Sequence, residues 1–191
     1  LSAGLQHDAL YSQLEWRISY QDLLDDDLGY SKGMSLNLGR IQLRATEGEG
    51  VELQRFDVVE ITSLSQRSML FKPWSWRVNA GVERIIDLQQ DALVSQVNGG
   101  AGVTYPFSDS VDWFLFVNSR IEYGNEKRKH FDAAIGTSIG LLSGDRSKLM
   151  AVYEAWRFVG EGVSREKINV SYNLPLARNH ALRFGVQRSW Y

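Results

Sequence analysis

Phe131-Asp132-Ala133-Ala134-Ile135-Gly136-Thr137-Ser138-Ile139-Gly140-Leu141 is the stretch on which the fold turns. Phe131, Ala133, Ile135, Thr137, Ile139 and Leu141 fall on one parity, while Asp132, Gly136, Ser138 and Gly140 fall on the other. Successive side chains of a strand point to opposite faces, so a period of two with this contrast describes a strand with one apolar and one polar or small face.

The same period recurs along the chain. Upstream, Trp113, Leu115, Val117, Ile121 and Tyr123 oppose Asp112, Asn118, Arg120 and Glu122. Val97, Gly99, Ala101, Val103 and Tyr105 alternate with Gln96, Asn98, Gly100, Gly102 and Thr104, and Trp76, Val78, Ala80 and Val82 alternate with Arg77, Asn79 and Glu83. At the start of the chain, Leu14, Trp16, Ile18 and Tyr20 alternate with Gln13, Glu15, Arg17 and Ser19. Downstream, Ile168, Val170, Tyr172 and Leu174 alternate with Lys167, Asn169, Ser171 and Asn173; Leu182, Phe184, Val186 and Trp190 alternate with Arg183, Gln187 and Ser189. Three segments are less regular. In 34–44 the apolar phase slips at Gly39, as a β-bulge would make it do. In 51–62 it slips twice, and in 148–158 two apolar sets compete for the same face.

Turn-forming clusters separate these segments: Glu47 to Gly50, Pro106 to Asp109, Gly124 to Glu126, Ser143 to Asp145, and Pro175 with Asn179. Only 21–33 and 63–74 are long connections. Ten strands of about eleven residues would put more than half the chain in sheet, against a globular norm of ~20–25%. The expectation is a single all-β domain over 1–191, an up-and-down antiparallel β-barrel of about ten strands, since closure removes exposed sheet edges.

A closed barrel can carry its apolar face inside or outside. Two features favour outside, that is, a transmembrane barrel. Trp16, Tyr20, Trp76, Tyr105, Trp113, Tyr123, Tyr172 and Trp190 lie on the apolar parity, mainly near strand ends, where an aromatic girdle would sit at the two bilayer interfaces. The chain also holds 15 Arg against 6 Lys, with most Arg inside strands. Glu15, Arg17, Arg77, Glu83, Arg120, Glu122, Asp132 and Arg183 share the polar parity and nearly balance in charge, as a salt-bridged lumen would require, because planar guanidinium pairs bidentately with carboxylate. The competing architecture is a soluble, lipocalin-like barrel lined with aromatics.

Composition narrows the remaining classes. There is no Cys, so neither a disulfide framework nor thiolate chemistry is available. A net charge of −2 gives no basis for nucleic-acid binding. No apolar run is long enough for a transmembrane helix. The chain opens on Leu1 with no basic-then-apolar leader, and reads as a mature or excised piece.

Three elements are locally distinctive: Tyr20 to Gly33, with Asp22, Leu23, Leu24 and Asp25; Ser63-Leu64-Ser65 followed by Pro73 to Gly81; and Asn98-Gly99-Gly100-Ala101-Gly102. In this order they resemble the C-terminal barrel region of large Gram-negative envelope proteins. The N-terminal domain of those proteins is similar to the Lnb-type lipoprotein N-acyltransferases. The resemblance spans roughly residues 10–190. It implies an outer-membrane location, and partners comprising outer-membrane lipids, the assembly machinery and the chain's own N-terminal periplasmic domain or another periplasmic partner. Any catalytic cysteine would then belong to that domain. The terminal Trp190-Tyr191 is similar to the aromatic C-terminus of such barrels.

Candidate chemistry is sparse. Asp25-Asp26-Asp27 with Asp22 could gather a hard cation, but no EF-hand spacing is present, and a solvated acidic turn with Asp22 as a local cap is the simpler reading. His7, His130 and His180 invite a Ser–His hydrolase, yet the short His-x-Ser motifs of barrel hydrolases are absent, which leaves rim histidines. Lys127-Arg128-Lys129 could meet phosphates but reads as a solvated turn. Gly99, Gly100 and Gly102 lack the helix that a phosphate loop needs, and more simply relieve crowding. No catalytic residue, metal or cofactor is assigned. The expected role is a structural outer-membrane anchor with a side-chain-filled lumen and no large pore; the alternatives are a lipid-modifying envelope enzyme or a small channel.

Overall fold

The computed structural model describes residues 2–6, 9–25, 32–46, 50–86, 91–124, 130–144, 147–160, 162–177 and 180–190. They form one antiparallel up-and-down sheet: β1 (Ser2–Gln6), β2 (Ala9–Gln21), β3 (Met34–Thr46), β4 (Gly50–Ser63), β5 (Ser75–Ile86), β6 (Asp91–Ser108), β7 (Val111–Tyr123), β8 (Phe131–Ser143), β9 (Lys148–Phe158), β10 (Ser164–Ala177) and β11 (His180–Trp190). Each strand pairs with its sequence neighbours, and there is no helix among the described residues. Ten long strands match the periodicity; the short β1 adds an eleventh that the sequence pattern did not announce.

The sheet curls into a half-barrel. Among the described residues the ladder does not return from β11 to β1 or β2, so the closed ring expected from the sequence is corrected to a curled sheet with two edges. Right-handed twist and coiling bend a wide meander without joining its ends.

Irregular periodicity corresponds to real bulges. Gly39 has φ +62° and falls at a break in the ladder with β2, where Gly39 and Arg40 together face the single residue Arg17 between the pairs Trp16–Ile41 and Ile18–Leu38. A left-handed residue in a strand favours Gly, and the bulge resets the parity. The two slips in 51–62 are Gln54 and Val58. The turn expected at Pro106 to Asp109 is shorter than the sequence suggested, because β6 runs on to Ser108 with a register shift after Pro106. Pro175 likewise lies within β10 beside a shift, since a residue without an N–H fits a strand at a bulge.

Burial divides the faces sharply. Along β8, Asp132, Ala134, Gly136, Ser138, Gly140 and Leu142 are buried while Phe131, Ile135, Ile139 and Leu141 are exposed, Ile139 to 50%. Along β7, Asp112, Phe114, Phe116, Asn118 and Glu122 are buried, and Leu115, Val117, Ile121 and Tyr123 are exposed. The concave face is therefore the enclosed one, and it is the polar one. In β9 the competing parities resolve as Lys148, Met150, Val152, Glu154, Trp156 and Phe158 inward, opposite Leu149, Ala151, Tyr153 and Arg157 outward.

Candidate functional site: the charged concave face and its turn

The middle of the concave face is a belt of ion pairs. Asp57, fully buried on β4, accepts from Arg40 on β3 (Nε and Nη2, both 2.7 Å), from Arg55 Nε at 2.7 Å and from Asn79 Nδ2 at 2.9 Å. Gly81 stands opposite Asp57, and a Cβ there would collide with the backbone of Phe56 and Asp57. Arg77 of β5 donates to Asn118 Oδ1 at 2.9 Å and, four strands away, to Glu154 Oε1 of β9 at 2.8 Å. Arg120 pairs with Glu83 at 3.2 Å and with Glu122, and Glu122, also fully buried, receives Arg165 of β10 at 3.3 Å. Two guanidiniums also lie against rings: Arg165 at 4.1 Å from Phe158 and Arg77 at 5.6 Å from Phe116.

Each residue expected in a lumen network has a definite position. Arg77, Glu83, Arg120 and Glu122 meet in this belt. Asp132 is buried on β8 directly opposite Glu122, and its Oδ1 accepts from the backbone N–H of Gly160 (2.6 Å) and Ala133 (2.8 Å). Arg183 is outside the belt and serves a turn described below. Glu15 is exposed, because it sits on β2 beside the open edge, and the side chain of Arg17 is outside the described residues. Sequence parity did not single out Arg40, Arg55, Asp57, Glu154 or Arg165. The first three follow bulges that scramble the count, and Glu154 sits among apolar residues that share its face.

One end of the concavity is sealed by the turn after β2. Asp25 N–H donates to Asp22 O at 3.0 Å, Leu24 N–H to Asp22 Oδ1 at 3.0 Å and Asp22 N–H to Asp25 Oδ2 at 2.9 Å, so the turn is tied to itself. It drives Leu24 into a cluster with Leu64, Phe114, Phe116 and Leu142, against which Leu23, Met150 and Val152 also pack. Its carbonyls are held by the far side of the sheet: Lys148 Nζ reaches Leu23 O at 3.3 Å and Asn173 Nδ2 reaches Leu24 O at 2.9 Å. Arg183 of β11 clasps Asp22 at 2.9 Å and Asp25 at 3.2 Å. Inward glycines make room for the rings beneath: a Cβ on Gly140 would strike Phe114, and one on Gly136 would strike Trp156. Gly100 and Gly102 are crowded in the same way by Asn118 and by Leu115 and Phe116, whereas Gly99, on the other parity, faces open space. A cavity of about 390 Å³ runs along the concave face, from Leu23 and Phe116 at the turn past Arg40, Glu83 and Arg165 of the belt.

The aromatic residues lie on the convex face in two tiers. Trp76, Tyr105, Trp113 and Tyr172 are near the strand ends beside the turn, with Tyr105 stacked on Trp113 at 5.4 Å; Tyr123 and Trp190 are near the opposite ends. Trp16 is exposed but mid-strand, opposite Ile41, and the side chain of Tyr20 is outside the described residues. Of the histidines, His130 has Nδ1 3.3 Å from Gly124 O, and the side chains of His7 and His180 are outside the described residues. Asp26, Asp27 and the basic turn 127–129 are outside them as well; among the described residues no three potential ligands cluster for a metal.

An antiparallel meander with an enclosed charged face and an exposed apolar face defines the class of this protein. The family model described as "Domain of unknown function (DUF7840)" matches residues 1–191, and the chain belongs to that family. No curated protein and no solved structure matches it.

Proposed function

We propose that this chain is an outer-membrane β-barrel of a Gram-negative envelope that anchors and orients a periplasmic domain, with a filled lumen and no large pore. The observation that carries this reading is the inversion of burial: Leu115, Val117, Ile121, Ile135, Ile139 and Leu141 are exposed while Glu122, Asp57 and Asp132 are buried. Soluble proteins rarely expose so continuous an apolar surface, whereas a membrane barrel requires it. Spacing agrees. Trp113 and Tyr123 bracket the convex face of β7 ten residues apart, ~33 Å along the strand, or ~25 Å of height at a tilt near 40°.

In the membrane the sheet would close between β11 and β2. In an up-and-down meander β1 and β11 run the same way, so only β2 offers β11 an antiparallel partner, and β1 covers only Ala9–Gln13 of its edge. The Arg183 clasp on Asp22 already brings the two edges together at one end. Ten strands is then the closed number, and it is even, as bacterial barrels are.

The turn carrying Leu23 and Leu24, with the charged belt beneath it, supports anchoring over conduction, and planar-bilayer recordings should show no large, steady conductance. Fractionation of full-length protein expressed with its signal sequence tests the membrane reading. Recovery with the outer membrane and heat-modifiable gel migration are expected; soluble material would make the convex face a protein-binding surface instead.

A further inference from the structure

Among the described residues of β7 to β11, the convex face carries charge only at the ends of β9, β10 and β11 that lie away from the Asp22–Asp25 turn. There Arg157, Glu166 and Arg188 occupy positions that the alternation elsewhere gives to Ile, Val or Leu. Register sets their neighbours. Ala155 and Trp190 stand opposite Glu166, Ser164 stands opposite Arg157, and Ile168 stands opposite both Tyr153 and Arg188. Glu166 therefore has Tyr153, Arg157 and Arg188 on its diagonals, a separation that long side chains span. The Tyr153 hydroxyl hydrogen-bonds Glu166, and the Arg188 guanidinium lies 5.2 Å from the Trp190 ring. Tyr153, Ser164, Glu166 and Trp190 line a cavity of about 370 Å³ on this face.

Charges on a lipid-facing strand are tolerated only near the interface, and these lie within three residues of a strand end, Glu166 at the start of β10 and Arg157 and Arg188 at the ends of β9 and β11. Glu166 at the aromatic cavity, with Arg157 and Arg188 on its diagonals, presents complementary chemistry for a ligand that is itself zwitterionic. Guanidinium groups take a phosphate, while a carboxylate beside an indole face takes a primary ammonium. Farther along the same face, Ile168 and Val170 of β10, Ala151 of β9 and Val186 of β11 continue as an apolar surface suited to acyl chains. We propose that this groove is a binding site for the headgroup of phosphatidylethanolamine, its phosphate between Arg157 and Arg188 and its ammonium against Glu166 and Trp190. The site rests on the reading of the convex face as lipid-facing. A purely anionic headgroup leaves Glu166 opposed by like charge, and a quaternary ammonium has no N–H for it.

The test reconstitutes the full chain in phosphatidylglycerol nanodiscs doped with phosphatidylethanolamine or phosphatidylcholine, and measures the retained lipid by native mass spectrometry. Phosphatidylethanolamine should be retained roughly tenfold over either alternative, the size expected of one charge-assisted hydrogen bond. Glu166→Gln should abolish that preference while keeping phosphatidylglycerol retention; Arg157→Gln with Arg188→Gln should reduce retention of every phospholipid. Wild-type protein that shows no preference, or that favours phosphatidylglycerol, overturns the site, as does a Glu166→Gln variant that keeps the preference. Heat-modifiable migration of each sample reports insertion separately. An inserted wild-type protein without selectivity refutes the site alone, and a protein that never inserts refutes the membrane reading with it.

Discussion

Asp57 shows how much a single side chain carries in this fold. It has no exposed surface, yet two guanidiniums and one amide converge on it from β3, β4 and β5. Removing one member of a buried ion cluster leaves the others desolvated and unpaired, which costs more than the pair itself contributes. Asp57→Ala should therefore destabilise the protein by about 3–5 kcal/mol, read from urea unfolding in lipid vesicles. Glu60 offers Arg40 a second carboxylate at 3.0 Å, so Glu60→Gln should cost clearly less in the same assay. Equal losses would mean that the belt shares its charge diffusely.

At the scale of the element, β8 is the cleanest strand and the best place to ask what the convex face touches. Ile139 projects from its middle, between Thr137 and Leu141 on the same face. Ile139→Arg should cost ~2–4 kcal/mol if that face meets hydrocarbon, because Arg near mid-bilayer must distort or hydrate its surroundings. A water-exposed strand would register less than ~0.5 kcal/mol for the same change. Gly140, the next residue, probes the other face: Gly140→Val would collide with Phe114, and overpacking of that kind costs ~1–3 kcal/mol. The two substitutions are adjacent in sequence, and separate consequences for them would measure the division between faces directly.

For the molecule as a whole, the question is the seam. If β11 closes on β2 as proposed, with the Asp22–Arg183 contact at one end, Ile18 and Val186, both exposed on the convex face, would come to lie on facing strands. The chain has no Cys, so Ile18→Cys with Val186→Cys is a clean pair. Oxidation should crosslink it within one chain and shift its unheated migration. Absence of a crosslink at Val186 and at its flanking convex positions Phe184 and Arg188 would leave the sheet open. The same turn makes a second prediction: Leu23→Ser with Leu24→Ser, which strips the apolar contacts to Phe114, Phe116 and Leu142, should lower the thermal unfolding temperature and permit small, flickering conductance where the unaltered chain is expected to show none.

Most of the strand architecture was legible in the sequence because side-chain period is a local property, and even its failures were informative. The slip at Gly39 and the two slips in 51–62 are bulges, each needing only one extra residue to invert parity. Turn lengths were less legible, since Pro106 and Pro175 mark bulges within strands here rather than their ends. The charged belt was half visible. Arg77, Glu83, Arg120 and Glu122 declared themselves by parity, but Arg40, Arg55 and Asp57 stand beyond bulges, and Glu154 shares its face with Met150, Val152 and Trp156. What β9 buries was undecidable locally because its partner is the turn at Leu23 and Leu24, more than a hundred residues away.

The sequence by itself thus determined the number of long strands, their two-faced character and the composition of each face, all of which follow from the alternation of Cβ directions along an extended chain. Only the tertiary structure decided which face is enclosed, which guanidinium meets which carboxylate, and that Asp22 meets Arg183, because curvature and long-range register bring together residues that no local pattern relates.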